Sequence, residues 1–294
     1  MTSRRVFIKS ASALSAAVFV KGPLTAFKPA PLIGLQLYTV RDAMQQDPVA
    51  TLEHVAKIGY NSVETATYTG SQQFYGMDPL AFKKVLKDNG LVVPSGHYRL
   101  GEEKTAQPVK GTMLLEWQKA VDDAATVGLK YMVCAYLAES ERGNLDHYKS
   151  LAEEFNKAGE TCKKAGIQFC YHNHNFEFEA QGGVFPYDIL LSNTDKNLVK
   201  MEMDLYWVTK AGHDPIEIFT KHPGRFPLWH VKDMTNTPDK TFAAVGTGSI
   251  DFKKIFRDKA IAGMKYFFVE QDKCPGSPFD SITESYNYIK KNLV

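Results

Sequence analysis

From Pro31 onward the chain repeats one pattern of apolar and polar positions. A stretch with apolar residues three and four apart ends on glycine, and a short apolar run begins directly after it. Leu151, Phe155, Ala158, Cys162 and Ala165 draw one such stripe, which predicts an amphipathic helix. The terminating glycines are Gly59, Gly90, Gly128, Gly166 and Gly263. Each supplies the left-handed residue that closes a helix, and a short loop then feeds a buried strand. The runs that follow are Ser62 to Thr65, Leu91 to Pro94, Lys130 to Ala135, Ile167 to Tyr171 and Lys265 to Glu270. Leu32 to Tyr38, Val199 to Asp204 and Pro227 to Val231 bring the number of expected strands to eight. A helical segment follows each, and strict alternation implies parallel strands joined by crossover helices. Eight units in residues 31–294 match the size of one closed (β/α)8 TIM barrel, an α/β fold. An open doubly wound sheet is the competitor, but no GxGxxG follows the first run. No linker, low-complexity tract or charge block marks a second domain.

Residues 1–30 break the pattern. Ser3-Arg4-Arg5-Val6-Phe7-Ile8-Lys9 precedes an apolar stretch from Ala11 to Val20, and no acidic residue occurs before Asp42. A basic start and an apolar run too short to span a bilayer predict an export signal. The order of Ser, paired Arg, Phe, aliphatic residue and Lys resembles the twin-arginine signal, which implies a periplasmic protein exported already folded. Cleavage between Val20 and Ala30 removes five positive charges, taking the formal net charge from +2 to about −3. A chain of that charge is not expected to bind nucleic acid or acidic membranes. No membrane anchor is expected after cleavage, and a homo-oligomer stays open. With 44% apolar and 23% charged residues the chain needs no disulfide to fold. Cys134, Cys162, Cys170 and Cys274 show no CxxC spacing, and the first three fall in apolar positions as small hydrophobes.

In a β/α barrel, chemistry sits at the C-terminal ends of the strands. Read run by run, those ends carry Gln36 and Tyr38 with Arg41, then Glu64, then His97 and Tyr98, then Tyr136. The fifth carries His172, His174 and Glu177, the sixth Glu202 and Asp204, the seventh His230, Lys232 and Asp233, and the eighth Glu270 and Asp272. Imidazoles and carboxylates converging on the barrel axis could hold a borderline divalent ion such as Mn, Co or Zn. His172 and His174 share strand parity, as do His230 and Lys232, so each pair points inward. Glu202 reads as an interior carboxylate paired with a neighbouring Lys or Arg. His54, His147, His213 and His222 fall on helices or loops and read as surface residues. Gly246-Thr247-Gly248-Ser249-Ile250-Asp251 is too short for a phosphate cradle, and Ser249 is expected to cap the next helix. Tyr38, Tyr98, Tyr206, Trp207 and Trp229 offer faces for stacking on a sugar ring.

From about Leu32 to the C-terminus the chain resembles the xylose isomerase-like TIM-barrel superfamily of sugar phosphate isomerases and epimerases. The motifs are Gly34-Leu35-Gln36-Leu37-Tyr38-Thr39-Val40-Arg41-Asp42, Gly59-Tyr60 with Val63-Glu64, Tyr171-His172-Asn173-His174 with Glu177-Phe178, Asp204-Leu205-Tyr206-Trp207 and His230-Val231-Lys232-Asp233. The resemblance implies a divalent metal (Mn, Co, Zn or Mg) on Asp204, His230 and Glu270. His172 stands where the family has a metal-ligating Glu, with His174 as the other candidate for that place. Epimerases of this group resemble one another in using two such Glu residues to move protons, and the His-for-Glu change breaks that symmetry. Glu270 would retain a catalytic role. Glu177, His174, His97, Lys232 and Glu64 are then the candidate bases. The implied partner is a small-molecule carbohydrate, with Gln36, Tyr38, Glu64 and Trp207 as candidate contacts. The implied activity is isomerisation or epimerisation of a non-phosphorylated sugar or keto-sugar through an enediolate or enolate. The Tyr-His-x-His strand looks more like keto-inositol dehydratases and lyases of keto-glycosides, which is the alternative. A sugar-binding barrel without activity is a third reading, and a barrel endonuclease is disfavoured by charge and export.

Overall fold

The computed structural model describes residues 31–101 and 108–294, so the predicted export signal lies outside the described residues. Residues 32–294 form one compact unit. Its strands are β1 (Gly34–Gln36), β2 (Ser62–Thr65), β3 (Val92–Tyr98), β4 (Tyr131–Cys134), β5 (Gln168–His172), β6 (Val199–Asp204), β7 (Leu228–Val231), β8 (Asp233–Met234), β9 (Phe242–Ala243) and β10 (Tyr266–Val269). All but β8 and β9 pair in parallel and close into an eight-stranded barrel, with β10 between β7 and β1. The expected single α/β barrel is therefore the observed fold.

The five helix-ending glycines adopt φ values of +123° at Gly59, +67° at Gly90, +106° at Gly128, +73° at Gly166 and +81° at Gly263. Nothing crowds the missing Cβ at Gly90, Gly128 or Gly166, so backbone conformation alone demands glycine there. Outside the barrel the helices cover outward-facing strand residues. Trp229 stacks on Phe219 at 5.0 Å and meets Phe256 edge-on, while Phe169 packs on Trp117 and Phe155. Trp229 is thus a core residue and, contrary to expectation, offers no face to a sugar; Tyr206 is buried too, whereas Tyr98, though largely buried, borders the cavity at the barrel mouth.

The interior is layered by the two-residue strand period. Val133, Cys170, Leu228 and Phe268 form a separate buried apolar cluster. Two residues further along the same strands stand His172, His230 and Glu270, and two further His174, Lys232 and Asp272. An apolar plug therefore underlies a polar middle layer and a polar mouth.

Two local differences from the sequence reading have clear causes. β1 ends early because Leu37–Val40 coils into a 3-10 turn whose Tyr38 amide donates to Gln36 Oε1 at 3.1 Å. Ser249 does not cap the following helix, Phe252–Arg257; Asp251 does, accepting from the Lys254 amide at 2.9 Å. The Ser249 hydroxyl instead donates to the Met234 carbonyl. The antiparallel β8–β9 pair was not expected at all.

Candidate active site

At the C-terminal mouth of the barrel lies a cavity of about 330 Å³. Its lining includes His97, His172 and Glu270 in the deeper layer and Lys232, Asp272, His174, Tyr38 and Tyr136 toward the mouth. The parallel register sets the floor, placing His172 beside Glu202, Asp204 beside His230 and Gln36 beside Glu64.

One donor group joins Asp204, His230 and Glu270, whose ligand atoms all lie within 4.8 Å of one another. His230 Nδ1 is 2.6 Å from Glu270 Oε2. The Lys232 ammonium contacts Asp204 at 3.0 Å, Glu270 at 2.7 Å and Asp272 at 2.8 Å. Burial would discharge this lysine, but the three carboxylates more than offset that and hold its pKa well above the ordinary value. Burial would likewise raise Glu270, yet Lys232 and His230 keep its carboxylate well below the usual range. Burial pushes Asp272 up, with Lys232 pulling the other way.

A second group lies among His97, His172, Glu202 and His230, again within 4.8 Å. His97 Nε2 is 2.7 Å and His172 Nδ1 3.0 Å from Glu202 Oε2. Glu202 therefore pairs with histidines rather than with the expected Lys or Arg. Its inward parity, two residues before Asp204, was the signal for a place in the site. Burial depresses His97 to about 4 and lowers His172 and His174 well below the ordinary range, so all three rings stand neutral, the metal-binding form. Burial raises Glu202 to about 7 and also raises Glu64.

The remaining candidates fall in distinct places. Glu64 is fully buried beneath the floor, accepting from Gln36 Nε2 at 2.8 Å and lying 2.6 Å from His230 Nε2. Gln36 is also fully buried, so neither it nor Glu64 lines the cavity. Trp207 stands behind the wall, 5.5 Å from the His174 ring and 5.9 Å from the Lys232 ammonium. Tyr38, 42% exposed, does line the mouth, with the Arg41 guanidinium 4.3 Å over its ring. Glu177 is buried and outside the cavity lining; it accepts from Tyr171 Oη and, at 2.9 Å, from the His174 amide. It positions the His174 loop. His174 itself packs against Tyr136 at 4.9 Å, and its Nδ1 is buried without a hydrogen-bond partner. Tyr136, passed over as a contact, is 44% exposed at the rim, and only the folded chain shows the Arg142 guanidinium beside its ring.

The residues fit a divalent ion. Asp204, His230 and Glu270, with His172 Nε2 3.5 Å from Asp204 Oδ2, give a mixed nitrogen and oxygen set from adjacent strand ends.

A family model described as a xylose isomerase-like TIM barrel matches residues 52–291. A sugar phosphate isomerase/epimerase structure from Parabacteroides distasonis is 30% identical with a TM-score of 0.75, covering 90% of this chain and 96% of that one. An inosose dehydratase of Clostridium perfringens is 29% identical over 171 residues, half of this chain and 56% of the relative, so the match spans little more than half its length. That of Lacticaseibacillus casei is 23% identical and covers 82% of this chain and 88% of the relative.

Proposed function

The chain belongs to the xylose isomerase-like TIM-barrel family, its relatives carry the names of sugar-processing enzymes, and we propose that it is a metal-dependent lyase acting on a keto-sugar, keto-cyclitol or keto-glycoside without phosphate. The observation that carries this reading is the strand-end set itself. One glutamate, Glu270, stands with Asp204 and His230, while His172 occupies β5 where a second glutamate would make the pair symmetric. A site with one such carboxylate suits elimination, in which proton removal and leaving-group departure need different groups.

A divalent ion on Asp204, His230, Glu270 and His172 would supply Lewis-acid polarisation of the substrate ketone. The neutral His174 imidazole lines the cavity and takes the α-proton. The Lys232 ammonium, held by three carboxylates, binds the oxygen on which negative charge gathers. As the electron pair moves in, the β C–O bond breaks, and Asp272 lies on the cavity wall to give the departing oxygen its proton. The inosose dehydratase relatives support elimination. The 30% identical sugar phosphate isomerase/epimerase favours a second reading, in which the same proton returns to a neighbouring carbon.

Export by the twin-arginine-type signal would place this chemistry in the periplasm, where free sugars and glycosides are the accessible substrates. The Gly246–Ile250 turn supports the absence of a phosphate cradle, because the amides of Gly246, Gly248 and Ile250 all donate to Asp233.

The test is incubation of metal-loaded protein with ketoses, keto-cyclitols and 3-keto-glycosides in deuterated water. Deuterium entry next to the carbonyl, with release of water or alcohol, is expected from the wild type. His174→Ala and Glu270→Ala should each lower the rate by at least about 100-fold, the scale of a lost acid–base group. Exchange without release selects isomerisation, and full exchange in both variants removes the assignment.

A further inference from the structure

The cavity at the mouth has two unlike halves. His172, His174, Lys232, Glu270 and Asp272 stand at the ends of β5, β7 and β10 or just beyond them. The opposite arc of the barrel, β1 to β4, lines the cavity with Tyr38, Ala66, Tyr68, Tyr98, Ala135 and Tyr136. His97, from β3, belongs to the deeper layer with the polar groups, 2.7 Å from Glu202.

Tyr38 and Tyr136 are the two exposed aromatic residues among the described residues, and both border this one cavity. Exposed apolar surface gathered at a cleft marks a ligand surface. Each ring is held from outside. The Arg41 guanidinium lies 4.3 Å from the Tyr38 ring centroid and donates to the Tyr38 carbonyl at 2.9 Å, while Arg41 itself lines an adjoining cleft rather than the cavity. The Arg142 guanidinium lies 5.0 Å from the Tyr136 centroid and 3.7 Å over Phe176, with its Nε donating to the Leu137 carbonyl at 3.0 Å. Phe176 also meets Tyr136 edge-on. Rings fixed before binding lose little freedom when a ligand stacks on them.

We propose, resting on the lyase reading above, that this tyrosine-lined half is the subsite of the leaving group and that the leaving group is an aromatic alcohol. The substrate is then a keto-glycoside with an aromatic aglycone. The polar groups of the arc favour an aromatic ring over a second sugar. Tyr68 Oη donates to Asp123 at 2.6 Å, and Tyr136 Oη accepts from Arg142. The Glu141 carboxylate accepts from the amides of Gly101 and Ala138 at 3.1 and 2.7 Å. With these groups engaged by the protein, the arc offers a ligand mainly ring surface. A second sugar would bring hydroxyls that lose water on entry, and a buried hydroxyl without a partner is costly. An aromatic ring needs no such partner and gains by stacking. In the elimination the aglycone oxygen departs with the electron pair of the broken C–O bond and takes its proton from Asp272. The products are the unsaturated keto-sugar and the free aromatic alcohol.

The test gives metal-loaded protein the 3-keto-glucosides of benzyl alcohol and methanol, two leaving groups of similar acidity, and of glucose. The kcat/KM for the benzyl compound should exceed that for the methyl compound by about 10- to 100-fold, the effect of burying one ring. It should also exceed that for the glucosyl compound. Tyr38→Ala and Tyr136→Ala should each lower the benzyl-to-methyl ratio about 3- to 10-fold, the scale of one aromatic pair. Tyr38→Phe and Tyr136→Phe keep the rings and should keep the ratio. Calorimetric binding of benzyl and methyl glucosides, which lack the ketone and do not react, should show the same preference without turnover. A ratio near 1, or a preference for the glucosyl compound, overturns the aromatic subsite and leaves the lyase in place. Folded alanine variants that keep the full ratio overturn it equally. Elimination from none of the three compounds removes the lyase reading, and the calorimetric preference, present or absent, then decides whether this half receives an aromatic ring.

Discussion

Single residues in this barrel take their roles from burial more than from type. Glu177 illustrates it: sequence placed it among the bases, and the fold uses it to hold the His174 amide and Tyr171. Burial raises its carboxyl to about 7, with the Tyr171 hydrogen bond opposing. A carboxyl raised on folding contributes stability that is complete below its unfolded value and is lost as pH rises through the folded value. Between about pH 4.5 and 7 the wild type should therefore lose stability, on the order of 3 kcal/mol, relative to Glu177→Gln. Denaturant unfolding of both proteins across that window checks the sign, and parallel curves would dismiss it. Glu202 and His97 were visible as inward-parity residues at strand ends, but their contact depends on β3 and β6 facing each other across the barrel. No spacing within either strand encodes that distance.

At the scale of elements, the turn after β9 shows how one side chain organises a loop. Asp233 is buried and accepts from the amides of Met234, Gly246, Gly248 and Ile250. Gly248 has to be glycine because a Cβ would lie 2.3 Å from Asp233 Oδ1. Asp233→Ala strands these amides, and a loss of roughly 3 kcal/mol or more is expected in unfolding free energy. A loss below about 1 kcal/mol would assign the turn's order to its other contacts. The sequence showed the glycines and the aspartate but set them 13 and 15 residues apart, with nothing to pair them. The helix-ending glycines were legible because a helix closes through local conformation. The shortened β1 was not, because its end is set by Gln36 folding back on Tyr38.

For the whole molecule, metal binding should couple to stability, since the donor set of Asp204, His230 and Glu270 draws on β6, β7 and the end of β10. An ion that binds only the folded chain raises stability with concentration, by about 2.7 kcal/mol at 100 times its dissociation constant. The melting temperature should rise with added Co²⁺ or Zn²⁺, fall with chelator, and respond far less in Glu270→Gln. A metal-independent melting temperature in the wild type would contradict a site built from three strand ends. The sequence by itself determined the eight alternating units, the closing glycines and the inward parity of His172, His230 and Lys232, because these follow from periods of 3.6 and 2 residues and from local sterics. It also carried the set of Asp204, His230 and Glu270 through position at strand ends. Only the tertiary structure decided that Gln36, Glu64 and Glu177 stand behind the cavity, that Glu202 faces histidines, and that His230 looks into two layers. Those facts depend on how strands from distant parts of the chain close around one axis, and on which carboxylates that closure buries together.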